Sequence, residues 1–324
     1  MGIKSKSEVL EILEMPRDEF EKTVKSEAKA VHREAGGDAI TVNALFGYDN
    51  ICRNQCTYCG MRAGNSDVKR YRIGLEDAKK TIESVKGLGL GRLFLISGED
   101  PKYDFRDIVS MVEYGKAHGL FMSLAAGEFD DEEYIILMNA GLDEYVLKFE
   151  TSDREMFGRI KPSTTFEKRM KCIDAIRDTG MALGSGNIVG LPKQSLGQVA
   201  DDIMLMKELG ISWAPIIPYM PVPGTPLAEE GGRGSLETTM KEIAILRLMM
   251  PEVHITAQQP GKDAKKGLAD VEGNLDALAT GADMLFVDML PSALRKEFNV
   301  ISDRMIEGMD KVRNLSNLSG MPIL

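Results

Sequence analysis

Apolar residues recur at three- and four-residue spacing through SEVLEILEM and RDEFEKTVKSEAKAVHREA, so residues 3–35 read as amphipathic helices. After Gly36-Gly37 the period changes. ITVNALFGY is an almost unbroken apolar run and reads as a buried strand, and from there strands and helices alternate. LEDAKKTIESVKGLG leads into GRLFLIS, FRDIVSMVEYGKAHG into LFMSLAA, and DEEYIILMNAG into DEYVLKF. TTFEKRMKCIDAIRDTG leads into MALGSGNIVG, and LGQVADDIMLMKELG into SWAPIIPY. SLETTMKEIAILRLMM then leads into VHITA, and DVEGNLDALATG into DMLFVDM.

Eight strands separated by helices suit either a long doubly wound sheet or a parallel barrel, and the short glycine connections favour the barrel. The expected class is α/β: a (β/α)8 TIM-type barrel over 37–293. An N-terminal helical extension covers 1–36 and a short C-terminal helical tail covers 294–324. Chemistry in such barrels collects at the C-terminal ends of the strands.

Composition changes this picture only at the margins. With 43% hydrophobic and 28% charged residues the chain can bury a full core. A net charge of -10 argues against a nucleic-acid partner. No apolar run reaches membrane-span length, and the polar start MGIKSKSEVLEIL lacks a secretory signal, which together predict no membrane partner and a cytoplasmic protein. The 20 methionines fall largely at apolar helical positions such as Met204, Met206, Met249 and Met250, where they read as core packing.

The four cysteines are more informative. Cys52, Cys56 and Cys59 lie within eight residues, in the loop after the first strand, while Cys172 stands alone. That is a soft-metal pattern in a reducing compartment, not a disulfide framework. The C-x3-C-x2-C spacing lets one loop wrap one iron–sulfur cluster. Three ligands leave one iron of a four-iron cube open, which suits catalysis. Structural zinc is the competing reading. It normally takes four protein ligands, no second cysteine or histidine pair is present, and Cys172 sits on an apolar helical stripe with Ile173 and Ile176. His32, His118 and His254 are solitary.

The cysteine loop, with Tyr58 between its second and third cysteines, resembles that of the radical S-adenosylmethionine (radical SAM) enzymes. KRYRIGLEDAKK, LISGEDPKYD, ETSDREMFGRIKPSTTFEKRMKC, SGNIVGLPKQS and PYMPVPGTPLA are similar, in order, to the subgroup that contains the hydrogenase maturase HydE and the methylornithine synthase PylB. The resemblance spans roughly residues 40 to 290. It implies a [4Fe-4S] cluster on Cys52, Cys56 and Cys59, and S-adenosylmethionine as the cofactor that the reduced cluster cleaves to a 5′-deoxyadenosyl radical. It also implies an external one-electron reductant of the flavodoxin or ferredoxin kind. Tyr58 would pack near the adenine. Gly98-Glu99 would meet the methionine amino group, with a helix-capping turn as the bland reading. Glu150 would contact the cofactor and Arg169 its carboxylate, unless the two form an ordinary surface ion pair. Gly190 and Pro218 would line the adenine side.

The substrate side is less readable. Where the lysine mutases of the subgroup carry an arginine and a serine–aspartate pair, this chain has Ala214-Pro215-Ile216-Ile217 and Thr256-Ala257-Gln258-Gln259-Pro260. The tyrosines and tail cysteines of some maturases are also absent. Lys148, Gln258 and Asp288, with Gln259 and Lys262, sit at predicted strand ends and are candidates to face a small-molecule substrate; rim positions of this kind are also ordinary loop residues. The leading expectation is a HydE-like radical SAM enzyme acting on a small amino-acid-derived or organometallic substrate. A PylB-like carbon-skeleton mutase is the alternative on the same scaffold, and a non-catalytic iron–sulfur carrier is the alternative from another class.

Overall fold

A computed structural model describes residues 2–301, 304 and 306–324. Among the described residues ten strands follow one another: β1 (Thr41–Asp49), β2 (Arg92–Ser97), β3 (Phe121–Ala125), β4 (Glu144–Val146), β5 (Ala182–Gly184), β6 (Ile188–Val189), β7 (Trp213–Ala214), β8 (Ile217–Pro218), β9 (His254–Ile255) and β10 (Met284–Asp288). Eight of them form one parallel sheet in the order β10-β1-β2-β3-β4-β5-β7-β9. A parallel bridge between Thr256 and Met284, with the Ala257 amide donating to Met284 O at 2.8 Å, joins β9 back to β10. The sheet is therefore a closed barrel, with the crossover helices outside as the alternating pattern requires.

Two runs expected as single strands are each broken in two. MALGSGNIVG divides into β5 and β6, and SWAPIIPY into β7 and β8; β6 and β8 then pair as Ile188↔Ile217 and Val189↔Pro218. Pro215 carries no N–H for the ladder, so the β7 run cannot continue through it. The separate pair β6–β8 places Ile188, Ile217 and Pro218 on the cavity lining.

The N-terminal helices, Lys6–Glu14, Arg17–Lys22 and Val24–Gly36, lie on the outside of the barrel. Helix Leu236–Met249, which they cover, is buried on all sides from Thr239 to Leu248. Lys241 of that helix reaches the C-terminal end of Lys6–Glu14, donating to Leu13 O at 3.1 Å and Met15 O at 2.6 Å. A cation at a helix C-terminus satisfies carbonyls that have no partner within the helix.

After β10, Phe298, Val300, Ile301, Arg304 and Ile306 line the mouth of the barrel, and beyond helix Met309–Ser319 Ile323 bridges Ile40 beside β1. Among its described residues, the stretch expected as a helical tail contains one α-helix, preceded by a single 3-10 turn at Arg295–Glu297. Among the described residues no helix is long and apolar enough to cross a membrane.

Candidate active site

The cysteine loop leaves the C-terminal end of β1 and is fixed mainly by backbone groups. The Arg70 guanidinium donates to Asn50 O, Met61 O and Arg62 O at 2.7, 2.8 and 2.7 Å, clasping both ends of the loop. The Thr57 amide donates to Ile160 O at 2.9 Å, and the Gln55 amide to Ser163 Oγ at 2.8 Å. Gly98 is required where β2 ends. A Cβ there would sit 2.0 Å from Ile51 O and 2.9 Å from Cys52 Cβ.

Cys52, Cys56 and Cys59 face one cavity of about 320 Å³ at the C-terminal mouth of the barrel. Burial pushes the Cys59 thiol up to about 12, and its neighbours Cys56 and Cys52 push in the same direction; burial likewise raises Cys52. Burial thus disfavours the thiolates of Cys52 and Cys59 until positive charge enters beside them. Among the described residues no three His, Cys, Asp or Glu side chains form a group that could hold a single metal ion. Three thiols around a shared space, each able to take a different metal atom, suit a cluster better than one zinc ion.

Tyr58 and Glu150 meet inside the cavity, with the Tyr58 hydroxyl donating to Glu150 Oε1 at 2.8 Å. Glu150 has φ 66, a left-handed conformation that ordinary residues avoid. The backbone holds it there through Glu150 N to Gly186 O at 3.0 Å and Ile188 N to Glu150 O at 2.9 Å. Tyr58 also packs against an apolar wall of Met156, Ile160, Ile188, Leu191 and Tyr219, and Pro218 extends the cavity lining there.

Glu99 accepts from Arg53 Nε at 2.7 Å and Asn54 Nδ2 at 2.8 Å. Gly127, with φ 91, lies so close that a Cβ would come within 2.5 Å of Glu99 Oε2. Arg169 is buried and donates through Nε to Glu128 Oε1 at 2.9 Å and through Nη1 to Lys148 O. Burial is the largest influence and raises the Glu128 carboxyl, but the charge and hydrogen bond of Arg169, the Thr164 hydroxyl and Lys168 together outweigh it and leave the group below its ordinary value. The Arg169 pair is thus internal, and its partner is Glu128.

Lys148 lines the cavity, with Nζ 3.8 Å from Glu150 Oε2, beyond hydrogen-bond length. Burial depresses its ammonium pKa, and the Glu150 charge only partly offsets that. Below Lys148 the interior turns apolar. Phe94, Trp213 and Phe286 pack ring to ring at 5.0, 5.5 and 6.3 Å between centroids, with Leu45, Val146 and Ile306 around them. Gln258 lines this part, but its amide is taken by the Phe286 backbone, accepting from N at 3.0 Å and donating to O at 3.2 Å.

Four singled-out residues, Asp288, Gly190, Gln259 and Lys262, lie off the cavity lining, and the buried Gln259 amide donates to Ile216 O and Thr256 O, both at 2.9 Å. Asp288 is buried against Arg304 Nη2 at 2.7 Å and the Leu290 amide at 2.9 Å. Gly190, at φ 74, makes a tight turn whose amide donates to Gln194 Oε1 at 2.7 Å, where a Cβ would meet Gly234 Cα at 2.7 Å. Lys262 lines a separate hollow with Arg17 and Glu237. Sequence reasoning passed over Gly127, Glu128, Lys161 and Arg304. The stretches AAGEF and RIKPS do place charged residues just past strand and helix ends, which is a signal, though a common one.

The pattern of the radical SAM superfamily matches residues 49–206. The [FeFe] hydrogenase maturase subunit HydE of Thermotoga maritima is 31% identical over 90% of this chain and 86% of its own length. The chain belongs to the radical SAM superfamily. Another relative is the 3-methylornithine synthase of Methanosarcina acetivorans, 26% identical over 88% of this chain and 79% of its own. The crystal structure of methylornithine synthase (PylB) superposes with a TM-score of 0.86 at 24% identity, covering 99% of this chain and 94% of that one, which shows a shared fold. Like other radical SAM enzymes, this one uses a [4Fe-4S] cluster and S-adenosylmethionine, acts on a small molecule and depends on an external reductant. When bound, that pair supplies reductive cleavage of a carbon–sulfur bond and hence a carbon radical.

Proposed function

We propose that this radical SAM enzyme is HydE-like and acts on a small amino-acid-derived or organometallic substrate during cofactor assembly. The supporting observation is one continuous cavity. It begins at Cys52, Cys56 and Cys59, passes Tyr58, Glu150 and Arg169, and ends on the apolar floor of Phe94, Trp213 and Phe286. The three thiolates would hold the cluster. Glu99 and Arg169 would orient the charged end of S-adenosylmethionine, and the apolar wall beside Tyr58 and Pro218 would receive its adenine. Glu150, fixed by Tyr58, would meet the cofactor between them. Lys148 stands where this half of the cavity gives way to the floor and would bind an anionic or strongly accepting end of the substrate.

The floor itself favours the HydE-like reading over the mutase. Trp213 Nε1 already donates to Thr256 Oγ1 at 3.1 Å and the Gln258 amide is tied to the Phe286 backbone through one N–H and its oxygen, which leaves few groups on the floor for a second charged end of an amino acid. The reductant would be a flavodoxin- or ferredoxin-like protein, and the four free cysteines suit a cytoplasmic setting.

The test is anaerobic reconstitution with iron and sulfide, followed by dithionite and S-adenosylmethionine, with 5′-deoxyadenosine and methionine quantified. Both products should form and should vanish in Cys56→Ala. Candidate iron-containing precursors and amino acids are then compared. Consumption of the precursor alone supports the HydE-like reading, whereas a rearranged amino acid establishes the mutase. A protein that binds four irons but no S-adenosylmethionine would be a cluster carrier.

A further inference from the structure

Lys161 is a buried cation without a carboxylate. It lies at the end of helix Arg154–Ile160 and is only 6% exposed. Its Nζ lies 3.6 Å from Cys56 Sγ, and no ion pair joins it to an acidic side chain among the described residues. The nearby Lys148 carries the same charge and adds to the cost of burying it. An ammonium taken out of water without an anion is strongly unfavourable, so this position requires a negative group beside it. Among the described residues, the only candidate within hydrogen-bond reach is the sulfur of Cys56. The approach is enforced from both sides, because the residues flanking Lys161 bind the cysteine loop: Ile160 O accepts from Thr57 N at 2.9 Å and Ser163 Oγ from Gln55 N at 2.8 Å.

We propose that Lys161 is a tuning residue that raises the reduction potential of the cluster held by Cys52, Cys56 and Cys59, by holding its ammonium against the Cys56 ligand sulfur. The inference rests on the reading of those three thiolates as the cluster ligands. Reduction adds one negative charge, and a fixed cation in a water-poor site stabilises the reduced form more than the oxidised one. A hydrogen bond donated to a ligand sulfur acts in the same direction. Lys161 thereby eases entry of the electron from the external reductant.

Wild type, Lys161→Met and Lys161→Arg are reconstituted anaerobically, their iron is counted, and each is titrated potentiometrically with the EPR signal of the reduced cluster as readout, without S-adenosylmethionine. Met keeps the length of the side chain and removes the charge. The expected result is a tenfold or larger loss in the reduction equilibrium of Lys161→Met, about 59 mV downward for one electron, with Lys161→Arg staying near wild type. A Lys161→Met protein with full iron and the wild-type potential overturns the proposal. So does a Lys161→Met protein that cannot take up iron while Lys161→Arg can, since the charge would then serve ligation and not potential. A wild type that binds no iron is a different failure, that of the cluster reading itself.

Discussion

The Tyr58 hydroxyl donates to the Glu150 carboxylate at 2.8 Å, and Glu150 pays for its place with a left-handed backbone at φ 66. Glu150→Gly should relieve a backbone strain of roughly 1 kcal/mol, but it also leaves the Tyr58 hydroxyl without its acceptor, at a cost of about 1–3 kcal/mol, so the melting temperature of the apo protein should not rise. The same variant should lose S-adenosylmethionine binding in equilibrium dialysis. Tyr58→Phe leaves Glu150 without its donor and should weaken that binding by roughly 1.5–3 kcal/mol, tenfold or more. Unchanged affinity in both variants would remove the pair from the cofactor site.

Gly127 guards Glu99. Gly127→Ala combines a forbidden φ of 91 with a Cβ 2.5 Å from Glu99 Oε2. The expected cost is about 1–3 kcal/mol of stability, together with weaker cofactor binding as Glu99 is displaced. Thermal denaturation and dialysis measure the two effects separately; normal values for both would show that the loop after β3 yields freely.

The Glu128–Arg169 pair is almost fully buried, with side chains 3% and 4% exposed. Glu128→Ala leaves the guanidinium charge uncompensated and should destabilise the fold by about 3–5 kcal/mol. Thr164→Ala removes only the hydroxyl that donates to Glu128 at 2.9 Å and should cost about 1 kcal/mol. Urea denaturation of the two variants tests the ratio, and equal losses would mean that the ion pair is not what stabilises this loop.

Lys148→Ala should leave S-adenosylmethionine cleavage intact while product yield from substrate falls tenfold or more. Quantifying 5′-deoxyadenosine against product in the same reaction gives both numbers, and wild-type yield would take Lys148 out of the substrate site.

Asp49 closes β1 just ahead of the cysteine loop. Burial, opposed by the Ile51 amide and reinforced by Asp100, lifts its carboxyl from 3.8 to about 8. Between these values the folded protein holds a proton that the unfolded chain has released, so this residue makes stability fall as pH rises from about 4 to about 8. Above that range it adds no further slope. Asp49→Asn should flatten the dependence, which melting temperatures from pH 5 to pH 9 will show. An unchanged slope would assign the pH dependence to other groups.

The fold was legible because its strands are short apolar runs between amphipathic helices, and ITVNALFGY or DMLFVDM can only be buried. The breaks at Gly184 to Gly186 and at Pro215 were harder to read, since a glycine or proline inside an apolar run also occurs at strand edges. The cysteine loop is local, so its spacing was readable. Arg169 was found without its partner, because nothing in the sequence says that Glu128, forty-one residues earlier, lies beside it. Arg304, Lys161 and the engaged amide of Gln258 depend on what the barrel brings together, and their burial has no periodic signature.

The cysteine loop follows the first strand, yet that strand has the last one, β10, as a neighbour and is bridged at its foot by Ile323. During synthesis the three thiols therefore leave the ribosome long before the chain that will shut the barrel around them. The chain offers its metal ligands early, in an open half-built sheet, and seals them late. Delivery of iron and sulfide has a natural window in that interval, and a protein made without it would have to admit its cluster through the finished mouth.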